Sequence, residues 1–194
     1  KARRKRKAAE RRKKREKAEK HLKEAFPGSL VYIDTKHLTF PGKKFYQFTA
    51  IDSKTRIKFI CIYSGASSKA GKLFLKELFD FMPFPIINIQ TDNGSEFLKH
   101  FDEELKRRNI HHYFSDPNCP KQNSRVERAI QTSEYEFWNY NEAYTVKELN
   151  ELADEWTYTY NYIRPHQALG YLTPMEYYES LKKEGKIEAQ VSTM

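Results

Sequence analysis

The chain has 194 residues, enough for one full domain with an appendage and too few for two typical domains. Its 35 Lys and Arg against 26 Asp and Glu give a formal net charge of +9, which points to a polyanionic partner. Two cysteines, Cys61 and Cys119, exclude a disulfide-rich secreted scaffold. The sequence shows neither a signal peptide nor an apolar run of roughly 18 residues, so we expect a cytoplasmic protein with no membrane partner.

The positive charge is concentrated at the N-terminus. Residues 1–24 hold 14 Lys and Arg against four Asp and Glu, whereas the rest of the chain holds 21 and 22. Residues 1–26 favour a helix but offer almost no apolar stripe, which predicts a basic arm or linker outside the core. A solvated linker and an arm that contacts phosphates both stay open. The chain starts at Lys1 rather than Met, which leaves room for further domains upstream.

Residues 27–180 predict an α/β core, and the charged and polar residues 181–194 predict a flexible C-terminal tail. Segments rich in β-branched and aromatic residues predict strands at residues 30–38, 45–52, 56–64, 86–90 and 110–114. Apolar residues at helical spacing predict helices at residues 67–82, 95–109, 122–140 and 146–164. This order is typical of a mixed five-stranded sheet flanked by helices.

Three acidic residues are candidates for chemistry. Asp34 lies in the first predicted strand, Asp92 directly follows the fourth, and Glu127 lies on a later helix. Because ligand sites of open α/β sheets lie at the carboxyl ends of strands, Asp34 and Asp92 could converge there. Carboxylates forced together repel unless a cation neutralises them, and hard oxygen ligands favour magnesium or manganese. Taken singly, however, each acid is more often a turn residue or a solvated group.

Four sequence blocks carry a resemblance to a known family. IDTKHL, TDNGSEF and PNCPKQNSRVER, around the three acids, resemble the catalytic blocks of retroviral-integrase-type DDE recombinases. YNYIRPHQALGYLTPMEYY, residues 160–178, is similar to the C-terminal signature of bacterial insertion-sequence transposases. The resemblance covers about residues 30–178 and implies a ribonuclease-H-like fold.

The resemblance also implies an activity. Asp34, Asp92 and Glu127 would be the catalytic triad and would bind two Mg²⁺ or Mn²⁺ ions. Water would attack a phosphodiester at a transposon end to free a 3′-hydroxyl, which would then join to target DNA by transesterification. The implied partners are DNA and further copies of the chain, in a homodimer or higher oligomer that holds both ends. When bound to DNA, the protein would be associated with the bacterial nucleoid.

DNA contacts are expected from two groups of residues. The first lies around the catalytic blocks and comprises His37, Asn93, Lys121, Gln122, Asn123, Arg125 and Arg128. The second lies in the basic arm and comprises Arg11, Arg12, Lys13, Lys14 and Arg15. A structural strand histidine and a helix cap are the alternatives for His37 and Asn123.

The chain departs from the family pattern after the catalytic glutamate. Many relatives carry a basic residue four or seven positions further on, where this chain has Gln131 and Glu134. Two other interpretations therefore stay open, a catalytically inactive DNA-binding descendant and another ribonuclease-H-like nuclease. The intact triad argues against the first, and the RPH motif at residues 164–166 argues against the second.

Overall fold

A computed structural model describes residue 22 and residues 25–40, 42–115 and 124–185. The strands are β1 (Val31–Phe40), β2 (Lys43–Asp52), β3 (Lys58–Tyr63), β4 (Asn88–Thr91) and β5 (His111–Phe114). The α-helices are α1 (Ser68–Phe81), α2 (His100–Arg107), α3 (Ser124–Glu136), α4 (Val146–Tyr158) and α5 (Pro174–Lys183). No helix within these ranges is both long and apolar enough to cross a bilayer.

The strands form one mixed sheet in the order β3-β2-β1-β4-β5. β1, β2 and β3 are an antiparallel meander, whereas β4 pairs parallel with both β1 and β5. A parallel connection needs a crossover, and α1 and α2 provide the two crossovers. The predicted mixed five-stranded sheet flanked by helices is confirmed.

Alternation along β1 separates the two faces of the sheet. Val31 and Ile33 belong to the apolar cluster that α1 and α2 cover, together with Phe74 and Phe101. Tyr32 points to the other face and clusters with Val126 of α3. Asp34 and Lys36 follow Tyr32 at steps of two, so they project to the α3 side.

Several helices differ from their predicted extent. The predicted helix at 95–109 is divided into a short 3₁₀ turn, Ser95–Phe97, and α2, because Lys99 adopts a left-handed backbone with φ 47°. α4 ends in a π-helical turn, Thr159–Ile163, before Pro165. α5 extends to Lys183, so ordered helix continues past the predicted end of the core at residue 180. Residues 1–21 lie outside the described residues, and the division into arm, core and tail stays a prediction.

Candidate active site

Two of the predicted acids lie just beyond the segment in which β1 and β4 pair. The two strands are parallel, and Tyr32 is aligned with Gln90. Asp34 lies two residues beyond Tyr32, within β1, and Asp92 lies two residues beyond Gln90, directly after the end of β4. The parallel pairing therefore places the two acids on neighbouring segments, and their role in one catalytic site stays a prediction.

Asp34 is partly buried and lies close to other negative charges. Its Oδ1 accepts the backbone N–H of Thr35 at 2.8 Å. Burial is the largest of the causes that together raise the pKa of Asp34 to about 7, and the hydrogen bond from Thr35 opposes the rise. The charges of Asp92, Glu127 and Glu96 make smaller contributions to the same rise, in that order of size. The three predicted triad residues are thus electrostatically coupled.

The turn after β4 fixes the second acid. Asp92 Oδ1 accepts the N–H of Gly94 at 2.8 Å, and the Asn93 side-chain amide donates to the Ser115 carbonyl at 3.0 Å. A Cβ at position 94 would lie 2.7 Å from the Glu96 carboxylate. Glycine at this position therefore allows Glu96 to fold back over the turn, where its charge reaches Asp34.

Glu127 approaches from the first turn of α3. The neighbouring apolar side chains Val126, Ala129 and Ile130 are buried against Tyr32, and this packing holds the helix over β1. Glu127 is left half-buried. Although the acids influence one another, no three His, Cys, Asp or Glu side chains in the described ranges are close enough together to enclose a metal ion.

A salt bridge lies beside the three acids. The ammonium of Lys36, on the same face of β1 as Asp34, pairs with the carboxylate of Glu134. Glu134 follows Glu127 by seven residues, or two turns of α3, so both acids lie on the same side of the helix. The chain thus has an acid at a position where the resemblance led us to expect a base, and the nearby strand supplies a base.

The expected DNA contacts lie in different parts of the structure. His37 is exposed on the face of β1 opposite Asp34, with its ring edge-on to Tyr46 at 4.9 Å. Arg125 and Arg128 line a cavity beside α3 whose lining does not include Glu127, and the Arg125 guanidinium donates to the Ser53 carbonyl. The other candidates, all outside the described residues, are Lys121, Gln122, Asn123, Arg11, Arg12, Lys13, Lys14 and Arg15.

Sequence reasoning missed Glu96 and the pairing of Lys36. A two-residue period from Asp34 along the strand and a seven-residue step from Glu127 along the helix point to Lys36 and Glu134. Glu96 had a weaker signal, as a second acid in the same turn as Asp92. Its position over Gly94 depends on the turn geometry.

Together, the mixed five-stranded sheet and the carboxylates beside it define an α/β core with a candidate active site, and comparison with known proteins gives the family. Models of the Integrase core domain match residues 24–120 and residues 108–174. The first match spans half the chain, so the chain belongs to the integrase core domain family.

Two curated relatives come from mobile or viral elements. One is "Putative integrase ORF3" of Spiroplasma virus SpV1-C74, which is 27% identical over 78% of this chain and 48% of its own length. The other is "Insertion element IS476 uncharacterized 39.2 kDa protein" of Xanthomonas euvesicatoria, which is 27% identical over 66% of this chain and 38% of its own length. The chain therefore spans about half the length of these relatives or less.

A solved structure supports the fold. The HTLV-2 integrase catalytic core domain, in complex with magnesium and in a trimeric form, matches with a TM-score of 0.66 at 14% identity. The match covers 80% of this chain and 99% of that chain. The fold is accordingly ribonuclease-H-like, as the resemblance implied.

Proposed function

We propose that the chain is the catalytic region of a DNA transposase or integrase of the insertion-sequence type. One observation carries the proposal: Asp34, Asp92 and Glu127 come from three separate segments, and the charges of the latter two add to the rise that burial causes in the pKa of Asp34. The family membership and the insertion-element relative support the same function.

The donor set fits a divalent cation. The three residues offer only carboxylate oxygens, the hard ligands that Mg²⁺ and Mn²⁺ prefer, and their mutual repulsion favours a cation between them. The HTLV-2 domain was solved with magnesium. We propose that Asp34, Asp92 and Glu127 hold two such ions. Bound there, the ions would stabilise charge on the phosphoryl oxygens and activate the attacking hydroxyl.

The proposed reaction consists of two phosphoryl transfers. In the first, water forms a new bond to phosphorus, the bond from phosphorus to the 3′ oxygen breaks, and that oxygen takes a proton to become a hydroxyl. In the second, this 3′-hydroxyl attacks a target phosphodiester and displaces its 3′ oxygen, so one phosphodiester replaces another and no ATP is needed. Lys36 and Asn93, beside the acids, are positioned to contact DNA phosphates and keep the strand in line.

The partners are DNA ends, target DNA and other copies of the chain. Joining two ends to one target requires at least two active sites, and the HTLV-2 relative is described in a trimeric form. The basic residues 1–24 would add sequence-independent phosphate contacts, with Arg11, Arg12, Lys13, Lys14 and Arg15 at their centre. Such a protein would act in the cytoplasm, on the nucleoid.

The test compares the native chain with Glu127→Gln in plasmid nicking and in strand joining of an oligonucleotide that already has a free 3′-hydroxyl. Glu151→Gln, the same change at an exposed position on α4, is the matched control. We expect Mn²⁺-dependent products from the native chain and the control and a loss of at least about 100-fold in Glu127→Gln, because one charged ligand of the reacting centre is removed. Mn²⁺ should also raise the melting temperature of the native chain and the control more than that of Glu127→Gln.

Two results would contradict the proposal. Products that persist at the native rate in Glu127→Gln would exclude this residue from the reaction. A native chain that neither joins DNA nor gains thermal stability with Mn²⁺ would indicate the inactive, DNA-binding alternative.

A further inference from the structure

A cavity lies beside α3, away from the three acids. It has a volume of about 580 Å³ and is bounded by α3, the β2–β3 turn and the segment after α4. Its basic lining residues are Arg56, Arg125, Arg128, Arg164 and His166. At about 100° per residue, Arg125 projects roughly opposite to Glu127, and Arg128 projects about 100° around the helix from it. The cavity lining includes Arg125 and Arg128 of α3 but not Glu127.

The charges in this cavity, which we call the arginine pocket, are poorly neutralised. Glu136 is the single acid among its lining residues, and both its oxygens accept from Arg164 at 2.6 Å. Asp52 lies nearby, but its carboxylate accepts three backbone N–H groups and the Thr55 hydroxyl. Within the described residues, the Arg56 and Arg128 guanidinium groups make no ion pair.

Arg56 is held in the pocket against two unfavourable effects. Its backbone has φ 65°, a left-handed conformation that costs a non-glycine residue free energy. Partial burial and the like charge of Arg125 also lower the pKa of Arg56, so its protonated form is disfavoured compared with water. An anion bound between Arg56 and Arg125 would offset the repulsion between their like charges.

The lining selects the chemistry of that anion. Arg125 donates one N–H to the Ser53 carbonyl, which fixes the guanidinium while its remaining donors stay available. Guanidinium groups bind phosphate through paired N–H donors, and three of them from the β2–β3 turn and α3 surround one volume. Tyr160 forms a buried wall and is only 4% exposed, so the pocket offers little area for stacking a base. Phosphate recognition therefore outweighs base recognition.

We propose that the arginine pocket binds a backbone phosphate of DNA, beside α3 and away from the catalytic carboxylates. The choice of DNA as the source of the phosphate rests on the proposed function. The chain would then hold DNA at two places on one helix, the scissile strand on the Glu127 side and a second segment on the Arg128 side. Phosphate contacts fix register without reading sequence, so this site would position DNA rather than select it.

The test measures DNA affinity as a function of KCl concentration, by fluorescence anisotropy with a labelled duplex. The variants are Arg128→Gln, an exposed change that the fold tolerates, and the double variant Arg56→Gln with Arg128→Gln. The control is Lys69→Gln with Lys76→Gln, which removes two exposed charges from α1 on the other face of the sheet. We expect the salt slope to fall by about one for each phosphate that a variant no longer neutralises. We expect roughly tenfold weaker binding at low salt for the double variant and less than twofold for the control.

A second arm separates the possible sources of phosphate. Titration with inorganic phosphate, followed by the NMR signals of the arginine Nε–H groups, should shift Arg56 and Arg128 in the native chain. An unchanged salt slope with shifted signals would overturn the assignment to DNA in favour of a free phosphate ligand, and an unchanged slope without shifts would overturn the site. The Mn²⁺-induced rise in melting temperature should persist in the double variant, so failure of the pocket is distinguishable from failure of the catalytic proposal.

Discussion

At the scale of single residues, the candidate site is a compromise between stability and chemistry. Asp34 is partly buried near three other acids, and the one hydrogen bond to its carboxylate from Thr35 does not offset that environment. An acid without function at this position would be replaced at little cost, because asparagine has the same shape and removes the charge. The raised pKa therefore agrees with a group that awaits a cation.

Asp34→Asn should stabilise the metal-free protein at pH 8. The pKa of Asp34 is about 7 in the folded chain against 3.8 ordinarily, so the folded form keeps a proton that the unfolded form loses. Native stability consequently falls as the pH rises from about 4 to 7 and stays low above 7. The variant lacks this loss, and its melting temperature should exceed the native value by about 2–4 °C for each kcal/mol of repulsion removed.

The measurement is thermal unfolding in EDTA at pH 4.5 and pH 8. The difference between Asp34→Asn and the native chain should be small at the lower pH, where the native carboxyl is protonated, and should grow towards pH 8. A constant difference across this range would show that the charge of Asp34 is not the cause.

The Lys36–Glu134 pair should control how strongly the site attracts DNA. Glu134→Gln frees the ammonium of Lys36 and removes a negative charge, so we expect tighter DNA binding and a salt slope steeper by up to about one. Lys36→Gln should weaken binding by a similar factor. The charge-exchanged double variant, Lys36→Glu with Glu134→Lys, should restore near-native affinity in the same anisotropy titration. If both single variants bind DNA as the native chain does, the salt bridge only joins β1 to α3 and does not affect DNA binding.

At the scale of elements, the turn that carries Asp92 depends on close packing by α1. Gly71 lies where this helix crosses the turn, and a Cβ there would be 2.6 Å from the Glu96 carbonyl oxygen and 3.0 Å from the Phe101 ring. The backbone of residues 94–97 can therefore be displaced from a position outside the site.

Gly71→Ala should destabilise the chain and weaken metal binding together. Overpacking of this kind typically costs about 1–3 kcal/mol, and a shifted Glu96 carbonyl moves the neighbouring Asp92 turn. The matched control is Gly65→Ala, since an added Cβ at position 65 meets nothing within 4 Å. Urea unfolding and Mn²⁺ titration measure the two effects. A variant with native Mn²⁺ affinity and lowered stability would show that the turn adjusts independently of α1.

The spacing of apolar residues predicted the helices and strands that bury a regular face. The breaks within predicted helices depend on tertiary geometry and were missed. The α1 prediction, 67–82, comes within a residue of the observed Ser68–Phe81, because apolar spacing and the Ser67 cap both mark its limits. The break before α2 was missed because it depends on the left-handed backbone of Lys99. Glycine or proline usually signals such a turn, and Lys99 is neither. The predicted helix at residues 122–140 is observed as α3 and a separate 3₁₀ turn, Trp138–Tyr140. This division and the π-helical turn after α4 were missed because the apolar spacing continues through both.

The same distinction applies to the site. The proximity of Asp34 and Asp92 could be predicted because they lie on or directly after neighbouring strands, although Asp34 lies within β1 and not at its end. Arg128 was expected beside the acids, because sequence proximity to Glu127 suggested it, whereas its side chain projects about 100° around α3 from Glu127 and lines the arginine pocket. The arginine pocket could not be predicted, because Arg56 and Arg164 come from segments that only the folded chain brings to α3.

At the scale of the whole molecule, one buried lysine connects the sheet to both helices on the active-site face. Lys58 is fully buried at the start of β3, and its Nζ donates to the Ser133 hydroxyl of α3 at 2.8 Å. The same nitrogen lies 3.6 Å from the centre of the Tyr160 ring. The Asn161 side chain pairs with both the backbone N–H and the carbonyl of Lys58, at 2.9 and 2.7 Å. The π-helical turn is thereby anchored to the sheet edge.

Lys58→Met should make the stability of the chain less dependent on pH. Burial lowers the pKa of Lys58 well below its ordinary 10.5, with a smaller contribution from the charge of Arg164. At pH values below 10.5, Lys58 binds a proton in the unfolded chain but not in the folded chain. The free energy of unfolding therefore falls as the pH drops from about 10 to 7. Methionine fills similar space without a charge, and Ser133 keeps its bond to Trp156. The measurement is the urea midpoint at pH 7 and pH 10, with the exposed change Lys76→Met as the control. The midpoints of the native chain and the control should rise with pH. The midpoint of Lys58→Met should change less with pH and should be higher than both at pH 7. Equal pH dependence in the native chain and both variants would mean that Lys58 stays protonated in the folded chain. The neighbouring aromatic rings and the Ser133 hydroxyl would then stabilise its charge fully.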